Sequence, residues 1–181
     1  GDVTVETTVA EVLGEEAEGS EIADVTFAEL ATHSAGLPTA PTSRSAQLLA
    51  STYLHRDPYG AWDAEQLVSD ALATSPSTRG QHVYSNLSVS LEGQLLSRIA
   101  GVPYAELIAS ELIEPLGLAS TYLPITAQGL RETARRGRTT TGLPAGAWTM
   151  NGYAPSGGLR STARDVAAFL SATRDGTAPG A

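Results

Sequence analysis

The chain has 181 residues, a formal net charge of −9 and 41% hydrophobic residues. This length allows one domain, or part of a larger one, whose core buries roughly 70% of the unfolded surface. The negative charge argues against nucleic acid as a partner, because its phosphates would be repelled. The absence of cysteine excludes disulfides and thiolate-bound metals. No apolar run approaches the ~20 residues of a membrane span.

Capping signals predict two short helices in the first half of the chain. Thr26 and Glu29 have the spacing of a capping box, and Gly36 and Pro38 close the helix that follows. Asp63 is the predicted N-cap of a second helix. The apolar positions of that helix, at helical spacing, are Leu67, Val68, Ala71 and Leu72.

A longer helix is predicted directly after the triplet Tyr84-Ser85-Asn86. Its apolar residues recur at helical spacing. They are Leu87, Leu91, Leu95, Leu96 and Ile99. Gly101 suits the position after the helix end, and Pro103 suits the first turn of the next helix.

The last third of the chain is predicted to be mostly irregular. Residues 119–158 are rich in glycine and proline and favour loops and short strands. Thr162 is the predicted cap of a final helix with Val166, Phe169 and Leu170 as core positions. No set of strands here makes a substantial sheet, so the sequence predicts a mainly α fold with long loops.

Four segments occur in the order and spacing of a known enzyme family. They are residues 27–38 (FAELATHSAGLP), 84–99 (YSNLSVSLEGQLLSRI), 101–121 (GVPYAELIASELIEPLGLAST) and 155–169 (PSGGLRSTARDVAAF). Together they resemble the serine β-lactamase and penicillin-binding-protein-like family, in the branch of class C β-lactamases, DD-peptidases and related esterases. The family reads close to LLTHTSGLP, YSN…LLG.IIE..TG, PLGM..T and GGL.STA.D.

The resemblance implies a fold and a site. The chain is then the helical lobe, with adjoining loops, of a protein whose other part is a three-layer α/β sandwich, and the cleft lies between them. Tyr84 matches the tyrosine that is the general base in acylation and the proton donor to the leaving group. Asn86 matches the asparagine that binds the substrate's side-chain amide. Ser85 is the variable residue between them and is grouped with Asn86 as substrate-binding.

Two parts of the family's chemistry are missing from the sequence. All eleven basic residues are arginine, so the chain contains no Ser-x-x-Lys. We expect that element before Gly1 and a Lys-Thr-Gly-like strand after Ala181, which makes residues 1–181 one domain that is incomplete at both ends. A tyrosine with the ordinary pKa of about 10 is ionised in only about one molecule in a thousand at neutral pH. Without a lysine ammonium to favour the phenolate, we expect the chain alone to be inactive.

The resemblance also bears on substrates, partners and location. It implies β-lactams, D-alanyl peptides or small esters as substrates, no metal or organic cofactor, and an exported or cell-envelope protein. Without the family's sheet the chain should expose an apolar face, so self-association is expected. A non-catalytic relative that keeps the fold as a recognition or interaction module is the alternative. An upstream Ser-x-x-Lys would distinguish the two.

The same residues have alternative interpretations. Without the four segments, Tyr84 would be a half-buried aromatic residue before a helix, and Asn86 would be the helix N-cap. His33 is expected to support the site, and His82 is a candidate for the cleft wall. A Ser-His-Asp hydrolase is disfavoured because no G-x-S-x-G element exists.

The arginines of the chain include a cluster and two residues near Tyr84 in sequence. Four of them fall within residues 131–138, where a solvated loop or helix face is favoured over an anion site. Arg79 and Arg98 are the basic residues nearest Tyr84 in sequence, and no pattern places either against it.

Overall fold

The computed structural model describes residues 3–41, 44–135 and 137–180, and its regular structure is helical. The α-helices in chain order are α1 (Val9–Leu13), α2 (Phe27–Ala31), α3 (Ser45–Tyr53), α4 (Ala64–Leu72), α5 (Asn86–Ala100), α6 (Tyr104–Ile108) and α7 (Ala163–Arg174). Short 3-10 helices cover Gly14–Ala17, Ala127–Gly129 and Asn151–Ser156, and α6 continues as a π-helix over Ala109–Ile113. The predicted mainly α fold with long loops is therefore confirmed.

The strands predicted within residues 119–158 are absent from the part of the chain that the structure describes. Single residue pairs form antiparallel bridges there instead, Tyr122 with Arg160 and Arg138 with Pro144. These bridges close loops and do not extend into a sheet. Arg136, one of the clustered arginines, lies outside the described residues.

Side chains cap the helices where the sequence predicts. The Thr26 hydroxyl accepts a hydrogen bond from the backbone N–H of Glu29 (3.3 Å), and the Glu29 carboxylate accepts one from the backbone N–H of Thr26 (2.9 Å). Asp63 and Thr162 likewise accept from the backbone N–H three residues on, at α4 and α7. Gly101 follows α5 with a φ of 69°, in the left-handed region that glycine adopts readily.

Three helices differ from the sequence-based expectation, and the first is α1, which was not predicted from the sequence. No sequence signal predicted α3, where Leu49 and Tyr53 are exposed. On α7 the sequence predicted Val166, Phe169 and Leu170 as core positions, but Val166 and Leu170 are 46% and 59% exposed. That prediction is wrong because the described parts of the chain do not cover this face of α7.

The α5 helix runs through the hydrophobic core. Leu87, Leu91 and Leu95 are fully buried, as their spacing predicts. The other large, fully buried side chains are Val9, Ile22, Val25, Leu30, Leu37, Trp62, Leu67, Val68 and Tyr153. Burial of one such side chain contributes roughly 1.5–3 kcal/mol, so this cluster fixes α5 among its neighbours. No helix within the described ranges is long and apolar enough to cross a bilayer.

Close backbone approach fixes α5 against the 3-10 helix Asn151–Ser156. A Cβ atom at Gly93 would lie 2.4 Å from the Cβ atom of Pro155, so only glycine fits at this crossing. A hydrogen bond also joins the two helices, since the Gln94 side-chain amide donates to the carbonyl of Gly152 (2.7 Å). The middle of α5 is thereby fixed against this 3-10 helix.

Candidate functional site

The triplet Tyr84-Ser85-Asn86 lies at the N-terminal end of α5. Asn86 is the first helical residue, and Ser85 is the N-cap, with extended backbone (φ −141°, ψ 115°). The Ser85 hydroxyl accepts from the backbone N–H of Ser88 (3.0 Å). The interpretation of Asn86 as the N-cap is therefore wrong, because Ser85 already occupies that position.

The Ser85 side chain caps the start of α5. This side chain is buried, and its hydroxyl donates to the carbonyl of Pro38 (2.7 Å) while it accepts from Ser88. The bond to Pro38 joins the loop of residues 33–38 to α5, and the bond from Ser88 caps the helix. The substrate contact expected of Ser85 stays a prediction, and the observed bonds assign this side chain to positioning.

The Tyr84 ring packs on one face and is open on the other. Its centroid lies 4.7 Å from that of the His33 ring, at an interplanar angle of 44°, and the residue is 58% exposed. The Tyr84 carbonyl accepts from the Thr39 hydroxyl (3.4 Å). Within the described ranges the phenol hydroxyl makes no hydrogen bond, so it is available to a group from outside.

His33 holds the backbone on both sides of Tyr84. Its Nδ1 atom accepts from the backbone N–H of Ser85 (3.2 Å), and its carbonyl accepts from the backbone N–H of Val83 (2.9 Å). A ring nitrogen that accepts carries no proton, so the proton of this imidazole is on Nε2. His33 has a φ of 58°, which is uncommon for a residue other than glycine. These contacts are those of a residue that supports the site.

His82 lies beside this pair at the surface. Its ring meets the His33 ring edge to face, with the centroids 5.8 Å apart, and the residue is exposed. Its place in a cleft wall stays a prediction.

Arg79 fixes the turn that leads to Tyr84. Its Nε and Nη2 atoms donate to the two carboxylate oxygens of Glu29 (2.8 and 2.9 Å), and Nη1 donates to the Asp24 carboxylate (2.7 Å). The bonds from Arg79, helped by those from Thr26, hold the pKa of Glu29 below its ordinary value. Such bidentate pairs are geometrically specific. Gly36 packs against the backbone of this turn. A Cβ atom at Gly36 would come 2.5 Å from the Arg79 backbone nitrogen, so the close approach requires glycine.

The basic residues nearest Tyr84 in sequence are therefore engaged elsewhere. Arg79 pairs with Glu29 and Asp24, while Arg98, near the far end of α5, pairs with Glu16 and Glu65. Neither guanidinium replaces a lysine beside the phenol.

Asn86 is oriented by an aromatic cluster that the sequence did not reveal. Its Nδ2 atom donates to the Tyr59 hydroxyl (3.2 Å), and the Tyr59 ring packs 4.6 Å from that of Tyr153. Tyr153 is fully buried, and burial raises the pKa of its phenol well above the ordinary value. Tyr59 is 27 residues from Asn86 and belongs to no motif, so no sequence signal could have found it. Among the described residues nothing donates to Asn86 Oδ1.

The fold and this site together define the helical lobe of a serine β-lactamase-like protein. The whole chain, residues 1–181, matches the sequence model of the Beta-lactamase family, and the chain therefore belongs to that family. This confirms the resemblance carried by the four segments.

Two curated relatives cover different shares of the chain. Beta-lactamase-like 1 of Homo sapiens is 34% identical over 102 residues, which are 56% of this chain and 20% of that protein. Beta-lactamase-like protein 2 of Dictyostelium discoideum is 27% identical over 157 residues, which are 80% of this chain and 26% of that protein. The matched part is thus about a fifth to a quarter of each relative's length.

Solved structures show the same fold. A class C beta lactamase from Rhodobacter sphaeroides superposes with a TM-score of 0.72 at 24% identity, over 97% of this chain and 45% of that one. A D-stereospecific amidohydrolase from Streptomyces gives a TM-score of 0.74 at 24% identity, over 94% of this chain and 53% of that one. The chain spans about half of each solved protein, and the helical-lobe assignment is confirmed.

Proposed function

We propose that this chain supplies the tyrosine-bearing wall of a serine acyl hydrolase that works through an acyl-enzyme. The proposed substrates are β-lactams, D-alanyl peptides and small esters, which all present an acyl carbonyl to a nucleophile. The observation that best supports this is the geometry of Tyr84. The residue is 58% exposed, while His33 binds the backbone on both sides of it.

In the proposed reaction the serine of a Ser-x-x-Lys element attacks the acyl carbonyl carbon. The serine proton passes to the Tyr84 phenolate oxygen and from there to the leaving nitrogen or oxygen. One bond forms between the serine oxygen and the acyl carbon, and the bond to the leaving group breaks. Water then cleaves the acyl-serine ester. Residues 1–181 contain no lysine, so they hold the proton carrier without the complete nucleophile element.

Asn86 is proposed to orient the substrate. Its Nδ2 atom is used by Tyr59, which fixes the plane of the side-chain amide. The opposite atom, Oδ1, then accepts from a substrate N–H, as a positioned carbonyl can. Ser85 is proposed to take part in substrate binding beside Asn86, while its hydroxyl caps the start of α5.

Intact-mass analysis with a reactive cephalosporin tests the proposal. The 181-residue chain alone is expected to gain no covalent adduct, whereas the polypeptide from the longest reading frame that contains this sequence gains the acyl mass. In that polypeptide Tyr84→Phe is expected to slow acylation by about 100-fold or more. Tyr53→Phe is the matched control, since Tyr53 is 84% exposed on α3. A normal acylation rate in Tyr84→Phe would sink the proposal.

The alternative function, a non-catalytic recognition module, gives a different result in the same experiment. The longer polypeptide would then bind a D-alanyl peptide reversibly and never gain mass. The absence of lysine from residues 1–181 is compatible with this outcome. An adduct on the 181-residue chain itself would contradict both functions, because neither provides a nucleophile there.

A further inference from the structure

A hollow lined by arginines lies between residues 131–135 and the N-terminal end of α7. Its volume is about 360 Å³, and Arg131, Arg135 and Arg160 all line it together with the hydroxyl-bearing residues Ser161 and Thr162. No acidic side chain is among its described lining residues. The same three arginines also line a neighbouring hollow of about 450 Å³, whose other walls are Glu132 and small or apolar residues.

Arg131 and Arg160 are held in place by neutral groups. The Arg131 Nη1 atom donates to the carbonyl of Ala119 (3.1 Å), and its guanidinium lies 4.3 Å from the centre of the Tyr122 ring. The Arg160 Nη2 atom donates to the carbonyl of Trp148 (2.7 Å). A guanidinium has five N–H donors, so most donors of both side chains are still unused. Carbonyls and rings leave the positive charge uncompensated.

Arg135 has neither a hydrogen bond nor an ion pair within the described ranges, and it is exposed. The buried carboxylate of Asp165 is connected by a hydrogen bond to Ser120, which lines the hollow. Asp165 accepts from the backbone N–H of Ser120 and from the Thr121 hydroxyl, both at 2.8 Å. The three guanidinium groups thus outnumber the two nearby carboxylates, those of Asp165 and of Glu132 in the adjoining hollow.

We propose that this hollow binds a phosphate group, either as free phosphate or on a phosphorylated small molecule. Guanidinium groups match phosphate oxygens with paired N–H donors, and hydroxyls add further donors. Three guanidinium groups from two segments suit the several oxygens of a tetrahedral anion better than the two oxygens of a planar carboxylate. The site shares no residue with the Tyr84 triplet. The sequence favoured a solvated face for these arginines, whereas the fold gathers Arg160 to them from 25 or more residues away.

Calorimetric titration of the 181-residue chain with inorganic phosphate tests the inference. Ionic strength is held constant, because added salt screens exposed charges on its own. Saturable binding with one phosphate per chain is expected. Arg135→Gln should weaken it by about tenfold, through loss of a charged, bidentate donor. Arg135 makes no hydrogen bond or ion pair within the described ranges. The thermal unfolding midpoint of Arg135→Gln should therefore equal that of the unaltered chain.

Arg174→Gln is the matched control. Arg174 bonds to Asp175 at the other end of α7, roughly 17 Å along the helix axis from Ala163. It removes the same charge and should leave phosphate affinity unchanged. Equal weakening by Arg135→Gln and Arg174→Gln would show a general charge effect and overturn the site, as would absence of saturation.

Two further ligands define the class of anion. Acetate at the same ionic strength should bind at least tenfold more weakly than phosphate, and equal affinity would overturn the assignment to phosphate. Phenyl phosphate distinguishes the two sources. Tighter binding than inorganic phosphate assigns a phosphorylated small molecule whose body enters the adjoining hollow, and weaker binding assigns the free ion.

Discussion

The Nδ1 atom of His33 accepts a hydrogen bond from the backbone N–H of Ser85, 3.2 Å away and 52 residues along the chain. The same imidazole packs against the Tyr84 ring. One side chain therefore sets both the start of α5 and the direction of the exposed phenol. The stability of the site should depend on this ring more than on its neighbours.

Replacing His33 tests this dependence. His33→Ala removes the acceptor for the Ser85 N–H and the ring beneath Tyr84, and should lower the free energy of unfolding by about 1–3 kcal/mol. Amide hydrogen exchange at Ser85 should become faster in the same variant. His82→Ala is the matched control, because His82 is exposed and its ring meets the His33 ring edge to face. An equally large loss of unfolding free energy in His82→Ala would contradict the role assigned to His33.

Two serines on the same helix turn should respond in opposite directions. Ser85→Ala removes the cap of α5 and leaves the Pro38 carbonyl without its donor, so stability should fall by about 1–2 kcal/mol. The Ser88 hydroxyl is buried and has no partner among the described residues, so Ser88→Ala should be neutral or stabilising. Urea unfolding of both variants measures the difference. A destabilised Ser88→Ala would mean that this hydroxyl has a partner.

Glu92 should make stability depend on pH. It lies half-buried on α5 near Tyr104, without an ion pair in the described ranges, and burial raises the pKa of its carboxyl to about 7. The folded chain thus holds this proton more tightly than the unfolded chain. The associated stability is present below the unfolded pKa of about 4.3 and is lost as the pH rises through about 7.

The variant Glu92→Gln cannot ionise and should not lose this stability. Its unfolding midpoint in urea should match that of the unaltered chain near pH 4 and exceed it at pH 8. Glu106→Gln on α6 is the control, since Glu106 is exposed. Equal pH dependence in the chain and in Glu92→Gln would contradict the prediction.

The apolar face of α7 is the basis for self-association, which stays a prediction. Val166 and Leu170 are one helical turn apart and both are exposed, and exposed apolar patches favour association. Sedimentation velocity should therefore show a concentration-dependent rise in mass. Leu170→Glu should abolish it by placing a charge on this face, while Ser171→Glu adds the same charge elsewhere on the helix. A monomer at all concentrations would rule the prediction out.

Local signals in the sequence determined the family and most of the longer helices. The capping box of Thr26 with Glu29, the caps at Asp63 and Thr162, and the leucine spacing after Tyr84 all act within a few residues, where propensity and hydrogen bonding to the adjacent backbone decide the structure. The triplet itself was also recognisable, because its residues are consecutive.

Long-range packing decided how the site is held. Neither the bond from Ser85 to His33 nor that from Asn86 to Tyr59 follows from spacing, because each joins segments that meet only when the core forms. The same holds for the three arginines around the hollow and for the uncovered face of α7. A sequence pattern records which side chains are apolar or charged, and only the tertiary structure determines which of them face one another and which face solvent.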